Sequence, residues 1–188
     1  MLMLFKADEI IIEIMERKMT EKIKNAMPLA ISIGLLPPLW AVVSSWVGIE
    51  FGWVALACGG IYVAAGDDVK NGPGISLGFL LGCIWGYIAN KCMQITGINQ
   101  NLLVFLVLCI MGFVCVILAI TVFEKAVYLP AWLGSWAVAL GIFGQTPQAD
   151  MLENFIKLLI AMLAGVWYIG AFNNYFQKFL RNRGNKND

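Results

Sequence analysis

The chain contains no histidine. Imidazole acid–base catalysis, imidazole proton relays and histidine-ligated metal centres are therefore excluded. Charge is scarce as well. Only 13% of the 188 residues are Asp, Glu, Lys or Arg, against about 25% in a soluble domain. The net charge of +1 supplies no basic field for nucleic acid, so no nucleic-acid partner is expected. Cysteine is present, but never as a C-x-x-C pair. Cys58, Cys83, Cys109 and Cys115 lie inside apolar runs, and Cys92 sits beside Lys91 at the edge of one. Thiols in such surroundings read as small packing side chains, with no metal, no cofactor and no disulfide implied.

Apolar residues fill the chain instead, at 60% of the total. The few charges cluster. None falls between Lys24 and Glu50, Lys70 and Lys91, Lys91 and Glu124, Lys125 and Asp150, or Lys157 and Lys178, and a shorter gap separates Glu50 from Asp67. A helix needs roughly 20 apolar residues to cross a bilayer. The pattern predicts an all-α polytopic membrane protein with about six transmembrane helices, near 27–48, 51–66, 74–92, 101–123, 129–145 and 155–176. The second and fifth are short and rich in small residues. Pro37-Pro38 removes two backbone donors from the first and predicts a kink or break there.

The first 24 residues mix five basic and five acidic side chains with isoleucine and methionine. Ile11, Ile14, Met15, Lys18 and Lys22 share one side of a helix, and Glu13 stands four residues before Arg17. No basic, apolar and small-residue succession of a signal peptide is present. The expectation is a short N-terminal amphipathic helix over 1–26 on the membrane surface, a transmembrane domain over 27–176 and a basic tail over 177–188. With the N-terminus inside, eleven Lys and Arg residues fall on the inner side and only Lys91 and Lys157 on the outer one. Both termini are therefore expected in the cytoplasm.

Sliding the chain on itself by 82 residues places Gly52, Ala55, Ala57 and Gly59 on Gly134, Ala137, Ala139 and Gly141. Asp68 then falls on Asp150, and Leu77, Leu81 and Trp85 fall on Leu159, Leu163 and Trp167. Three spans per half would make the halves, about 27–93 and 101–176, inverted repeats, with any solute site at their interface. Polar loops end the two short spans. Asp67 and Asp68 close the first; Gln145, Thr146 and Asp150 follow the second. These five residues are candidates for the two mouths of a permeation path. Turn chemistry alone also accounts for their residue types.

Gly74, Gly78, Gly82 and Gly86 recur every four residues and form a flat ridge for close helix packing, within one protomer or in a homo-oligomer. The 82-residue alignment does not duplicate this ridge. Trp40, Trp46, Trp53 and Trp132 lie near expected span ends, as in an interfacial belt, while Trp85 and Trp167 sit deeper.

"GWVALACGGIYVAAG" (Gly52 to Gly66) and "LPAWLGSWAVALGIFGQ" (Leu129 to Gln145) resemble the paired motifs of an uncharacterised bacterial inner-membrane family, domain of unknown function 1097. The resemblance covers roughly 27–176. It implies a small multi-spanning protein of the bacterial inner membrane and brings no catalytic residue or substrate with it. No nucleophile–base pair and no ionisable residue in mid-span appear, so no enzyme is expected. The leading expectation is a passive channel or transporter for a small neutral or weakly polar solute. The rival is an accessory membrane subunit that packs against a partner through the glycine ridge.

Overall fold

A computed structural model of the chain describes residues 2–97 and 99–184. The expected leader face of Ile11, Ile14 and Met15, and the basic side chains Lys178, Arg181, Arg183 and Lys186, lie outside what it describes. The fold is all-α. Its helices are α1 (Leu2–Trp46), α2 (Gly52–Ala64), α3 (Gly72–Met93), α4 (Gln100–Thr121), α5 (Leu129–Phe143), α6 (Met151–Ala164) and α7 (Asn173–Gly184). A π-helical segment, Gly165–Phe172, joins α6 to α7. Among the described residues, three apolar stretches are long enough to cross a membrane: Val69–Met93, Gln100–Thr121 and Gln148–Gln177. Ala30–Trp46, Gly52–Ala64 and Leu129–Phe143 are apolar but shorter.

The leader and the first span form one continuous helix, and Pro37-Pro38 does not end it. Internal hydrogen bonding keeps the backbone satisfied where a chain enters apolar surroundings, so an uninterrupted helix is favoured there. The second proline's ring bears on the carbonyl four residues back, at Gly34. Gly34 stands in open space, with nothing within 4 Å of where its Cβ would be.

Two helix–turn–helix units share one element order. In the first, α2 ends in a tight turn at Gly66 (φ +100°) and Asp67 (φ +52°). Glycine takes that left-handed region without penalty and aspartate tolerates it. A 310 turn, Val69–Asn71, then leads into α3. In the second, α5 ends at Phe143, and the 310 turn Gln148–Asp150 leads into α6. The two 310 turns coincide at an offset of 79, not 82, since Val69 matches Gln148 and Gly72 matches Met151. The structural counterpart of Asp68 is accordingly Pro147, and that of Asp150 is Asn71. The two offsets differ by three residues, about one helical turn, so both keep the same helix face.

The core is made by exchange between these units. The long helix of each packs on the short helix of the other, α3 on α5 and α2 on α6 with its π segment. Within each pair the helices run the same way. Gly74 opposes Ala126 and Gly86 opposes Ala139; Gly59 and Tyr62 oppose Ile169 and Gly170. The tight turns reverse the chain within each unit, so α2 and α5 run antiparallel. Trp132, expected near a membrane interface, is 1% exposed instead. It lies under Trp85, at a ring separation of 5.4 Å, and Phe123, at 6.0 Å.

Candidate functional site

Two clefts sit at opposite ends of α2 and α5. The first has a volume of about 910 Å³. It opens where α2 begins and α5 ends, and Glu50, Trp53, Gln145, Thr146, Asp150 and Lys157 are among its lining residues. Carboxylates dominate its charge, because the one amine, Lys157, is paired with Glu153 at 2.7 Å. The second cleft, about 600 Å³, opens where α2 ends and α5 begins. Lys70, Asn71, Glu124, Lys125 and Tyr128 are on its wall. The clefts therefore differ in sign, one acidic and one with two lysines facing a single glutamate.

Three of the five loop residues singled out in the sequence, Gln145, Thr146 and Asp150, meet in the first cleft. Asp67 and Asp68 are not on the wall of the second. They hold the turn together. The Asp68 carboxylate accepts a hydrogen bond from the Lys70 amide at 3.0 Å, and Asn174 donates to the Asp67 carbonyl at 2.6 Å. Asn71 closes the same turn by donating to the Ala65 carbonyl at 2.7 Å. Local bonds also hold the opposite turn. Thr146 donates to the Ile142 carbonyl at 2.8 Å and Gln145 to the Gly141 carbonyl at 3.1 Å, while Asn154 donates to the Thr146 hydroxyl at 3.1 Å. Sequence reasoning passed over Glu50, Lys70, Glu124 and Lys157 as cleft residues. Their signal was position, since each stands alone or nearly so at the edge of a long apolar run.

Between the clefts the interior is closed. Tyr62, Phe79, Cys83, Leu158 and Met162 have no exposed surface, and Phe143 keeps 1%. Two buried polar side chains there, Asn90 and Ser135, serve helix contacts. The Asn90 amide donates to the Phe143 carbonyl at 2.9 Å, tying the end of α3 to the end of α5. Ser135 donates to the carbonyls of Gly78 and Trp132 at 3.3 and 3.0 Å.

The glycine ridge of α3 is covered by α5. A Cβ at Gly82 would stand 2.5 Å from the Trp132 carbonyl oxygen, and one at Gly86 2.5 Å from the Ala139 Cβ. At Gly78 the nearest atoms, the Ala131 Cβ and the Tyr128 oxygen, are 3.0 Å away. Two helices this close leave no room for a third on that face. The ridge is an internal seam, and a partner subunit cannot use it as its docking surface.

Among the described residues, no group of three histidine, cysteine, aspartate or glutamate side chains could hold a metal ion. An all-helical chain with long apolar helices, few charges and polar groups gathered at the helix ends is a membrane protein. The chain belongs to the family described as protein of unknown function (DUF1097), whose model it matches over residues 30–178. No curated protein and no solved structure matches it.

Proposed function

We infer that the protein is a small-solute transporter or channel of the bacterial inner membrane. Its six helical spans would form two inverted halves, 27–93 and 101–176, with the 1–26 leader and the 177–188 tail in the cytoplasm. One observation carries the reading: two clefts lie at opposite ends of antiparallel short helices, each at the junction of both halves. Exchange packing of α3 with α5 and of α2 with α6 supports the inverted relation. The lysines of the second cleft agree with a cytoplasmic side for that end. Among the described residues no charged side chain lies in the interior between the clefts, which favours a passive route for a neutral or weakly polar solute over ion coupling. Passage requires the packed layer of Tyr62, Phe79 and Phe143 to part.

The test is solute flux into liposomes holding the purified protein. The expected result is faster entry of at least one small neutral solute than into empty liposomes, altered by Asp150→Asn and unchanged by Asp68→Asn. No acceleration for any solute rejects transport in favour of an accessory subunit. Orientation has its own check, by labelling single cysteines in a Cys-free variant of intact cells. Position 91 should react and position 68 should not; the reverse pattern overturns the topology. An accessory role would have to use a surface other than the ridge. The outer face of α4, with Phe105, Ile110 and Phe113 exposed, is one apolar surface available, and α1, with Leu35 and Leu39 exposed, is another.

A further inference from the structure

Two lysines from separate connections meet at the second cleft. Lys70 belongs to the turn between α2 and α3, and Lys125 to the loop between α4 and α5; both line the same cavity of about 600 Å³. Carboxylates stand close by in the chain, yet neither amine takes one. The Asp68 carboxylate accepts from the Lys70 amide at 3.0 Å, and Glu124 directly precedes Lys125. Among the described residues neither Lys70 nor Lys125 is in an ion pair, whereas Lys157 of the first cleft is held by Glu153 at 2.7 Å. The rest of the wall includes the Tyr128 side chain and the apolar Pro73, Leu77 and Val127. The Tyr128 amide donates to the Gly74 carbonyl at 3.2 Å, which ties the start of α5 to the first turn of α3. Two long apolar stretches, Val69–Met93 and Gln100–Thr121, have their ends beside the two lysines. In a bilayer the lysines therefore stand at headgroup depth. Leu77, five residues into α3 and so about 7.5 Å along its axis, lies beneath them on the hydrocarbon side.

We propose that this cleft binds the phosphate of an anionic phospholipid from the surrounding leaflet. Basic pockets between membrane helices take anionic headgroups, and a lysine near such a charge is worth about fivefold in affinity. The lysine ammonium carries three donors on a flexible stem, so two of them can close on one phosphate from different walls. The Tyr128 phenol offers a further donor. Charge complementarity favours a phosphodiester. Lys70, Lys125 and Glu124 together carry one net positive charge, which the single negative charge of a lipid phosphodiester cancels. Free phosphate shares that chemistry but leaves Leu77 and Val127 uncovered, whereas a lipid also lays its glycerol and the start of its acyl chains on them. The proposal rests on the charge and shape of this cleft and not on flux, so liposomes that show no transport leave it standing.

The experiment uses the full chain in a neutral detergent, stripped of lipid and titrated with phosphatidylglycerol or phosphatidylcholine, with bound lipid counted by native mass spectrometry. One phosphatidylglycerol per chain is expected, held in preference to phosphatidylcholine. Lys70→Gln and Lys125→Gln should each weaken its binding by about fivefold, and the double variant by about 25-fold. Glu124→Gln, which removes the opposing carboxylate, should tighten it. Lys70, Glu124 and Lys125 are all exposed, so these variants keep the fold, and their melting curves verify it. Lys91→Gln, outside the cleft, should leave affinity unchanged. An excess of inorganic phosphate should leave the lipid in place. Displacement by inorganic phosphate would assign the cleft to the free ion and overturn the lipid. Equal retention of the two lipids, full affinity in the double lysine variant, or an equal loss in Lys91→Gln would each overturn the site.

Discussion

The α3–α5 seam and the seam between α2 and the π segment both join one helix–turn–helix unit to the other, yet they are built differently. Along α3, glycines every four residues press backbone against backbone, with the Trp132 oxygen and the Ala139 Cβ as the opposing atoms. In the other seam the glycines are Gly59, Gly165 and Gly170. Gly165 meets backbone closely, at the Ala55 oxygen, while the atom nearest Gly59 is in the Ile169 side chain and Gly170 meets the Tyr62 ring. Residues five apart on an α-helix point about 140° away from each other. Gly165 and Gly170 nevertheless both face α2, because the π segment closes i→i+5 turns and so brings residues five apart to one side. One seam is a straight α ridge on a rigid partner; the other reaches the same contact through altered helix geometry and deformable side chains.

This contrast sets an order of mutational effects. Gly82→Leu should be the most damaging, since the Trp132 carbonyl and the Ser135 hydroxyl already occupy the space. Overpacking a core typically costs about 1–3 kcal/mol where side chains can shift, and a helix backbone shifts less. Loss of the monodisperse species in detergent chromatography is the expected outcome, and normal migration would mean the seam is looser than described. Single methyl groups grade the two seams more finely. Gly86→Ala meets the Ala139 Cβ, which has no freedom to move, whereas Gly59→Ala meets the Ile169 Cγ2 at 2.6 Å, the end of a rotatable side chain. Gly86→Ala should therefore lower the melting temperature more than Gly59→Ala, the latter costing about 1 kcal/mol. Equal losses would erase the proposed difference. The smallest effect, opposite in sign, is expected at Gly60, where nothing stands within 4 Å of an added Cβ. Gly60→Ala in the interior of α2 should stabilise by about 0.4–1 kcal/mol through reduced freedom of the unfolded chain, read as a rise of a few degrees in melting temperature.

Much of this was legible from residue order. Charge-free runs located the helices, and the spacing of Gly74, Gly78, Gly82 and Gly86 announced a close approach. Trp132 was misplaced because a tryptophan near the end of an apolar run reads as an interfacial anchor, and nothing local reveals that Trp85 and Phe123 will close over it. Asp68 and Asp150 were paired because identity and helix face both survive a slip of one turn. The structure separates them: Asp150 on a cleft wall, Asp68 in a turn whose backbone it braces.

By itself, the sequence determined the solvent. Too few charges and too much apolar length permit only helices that satisfy their own backbone in a bilayer. It also determined which helix face could come closest to another, because an absent side chain is a local property. Which helix would fill that face was decided by tertiary structure alone. Between helices surrounded by lipid, no hydrophobic force selects the partner, so the choice falls to shape. Shape is a joint property of α3 and α5, of Gly165 and Cys58, and of Cys83 and Met162, residues that no local pattern connects.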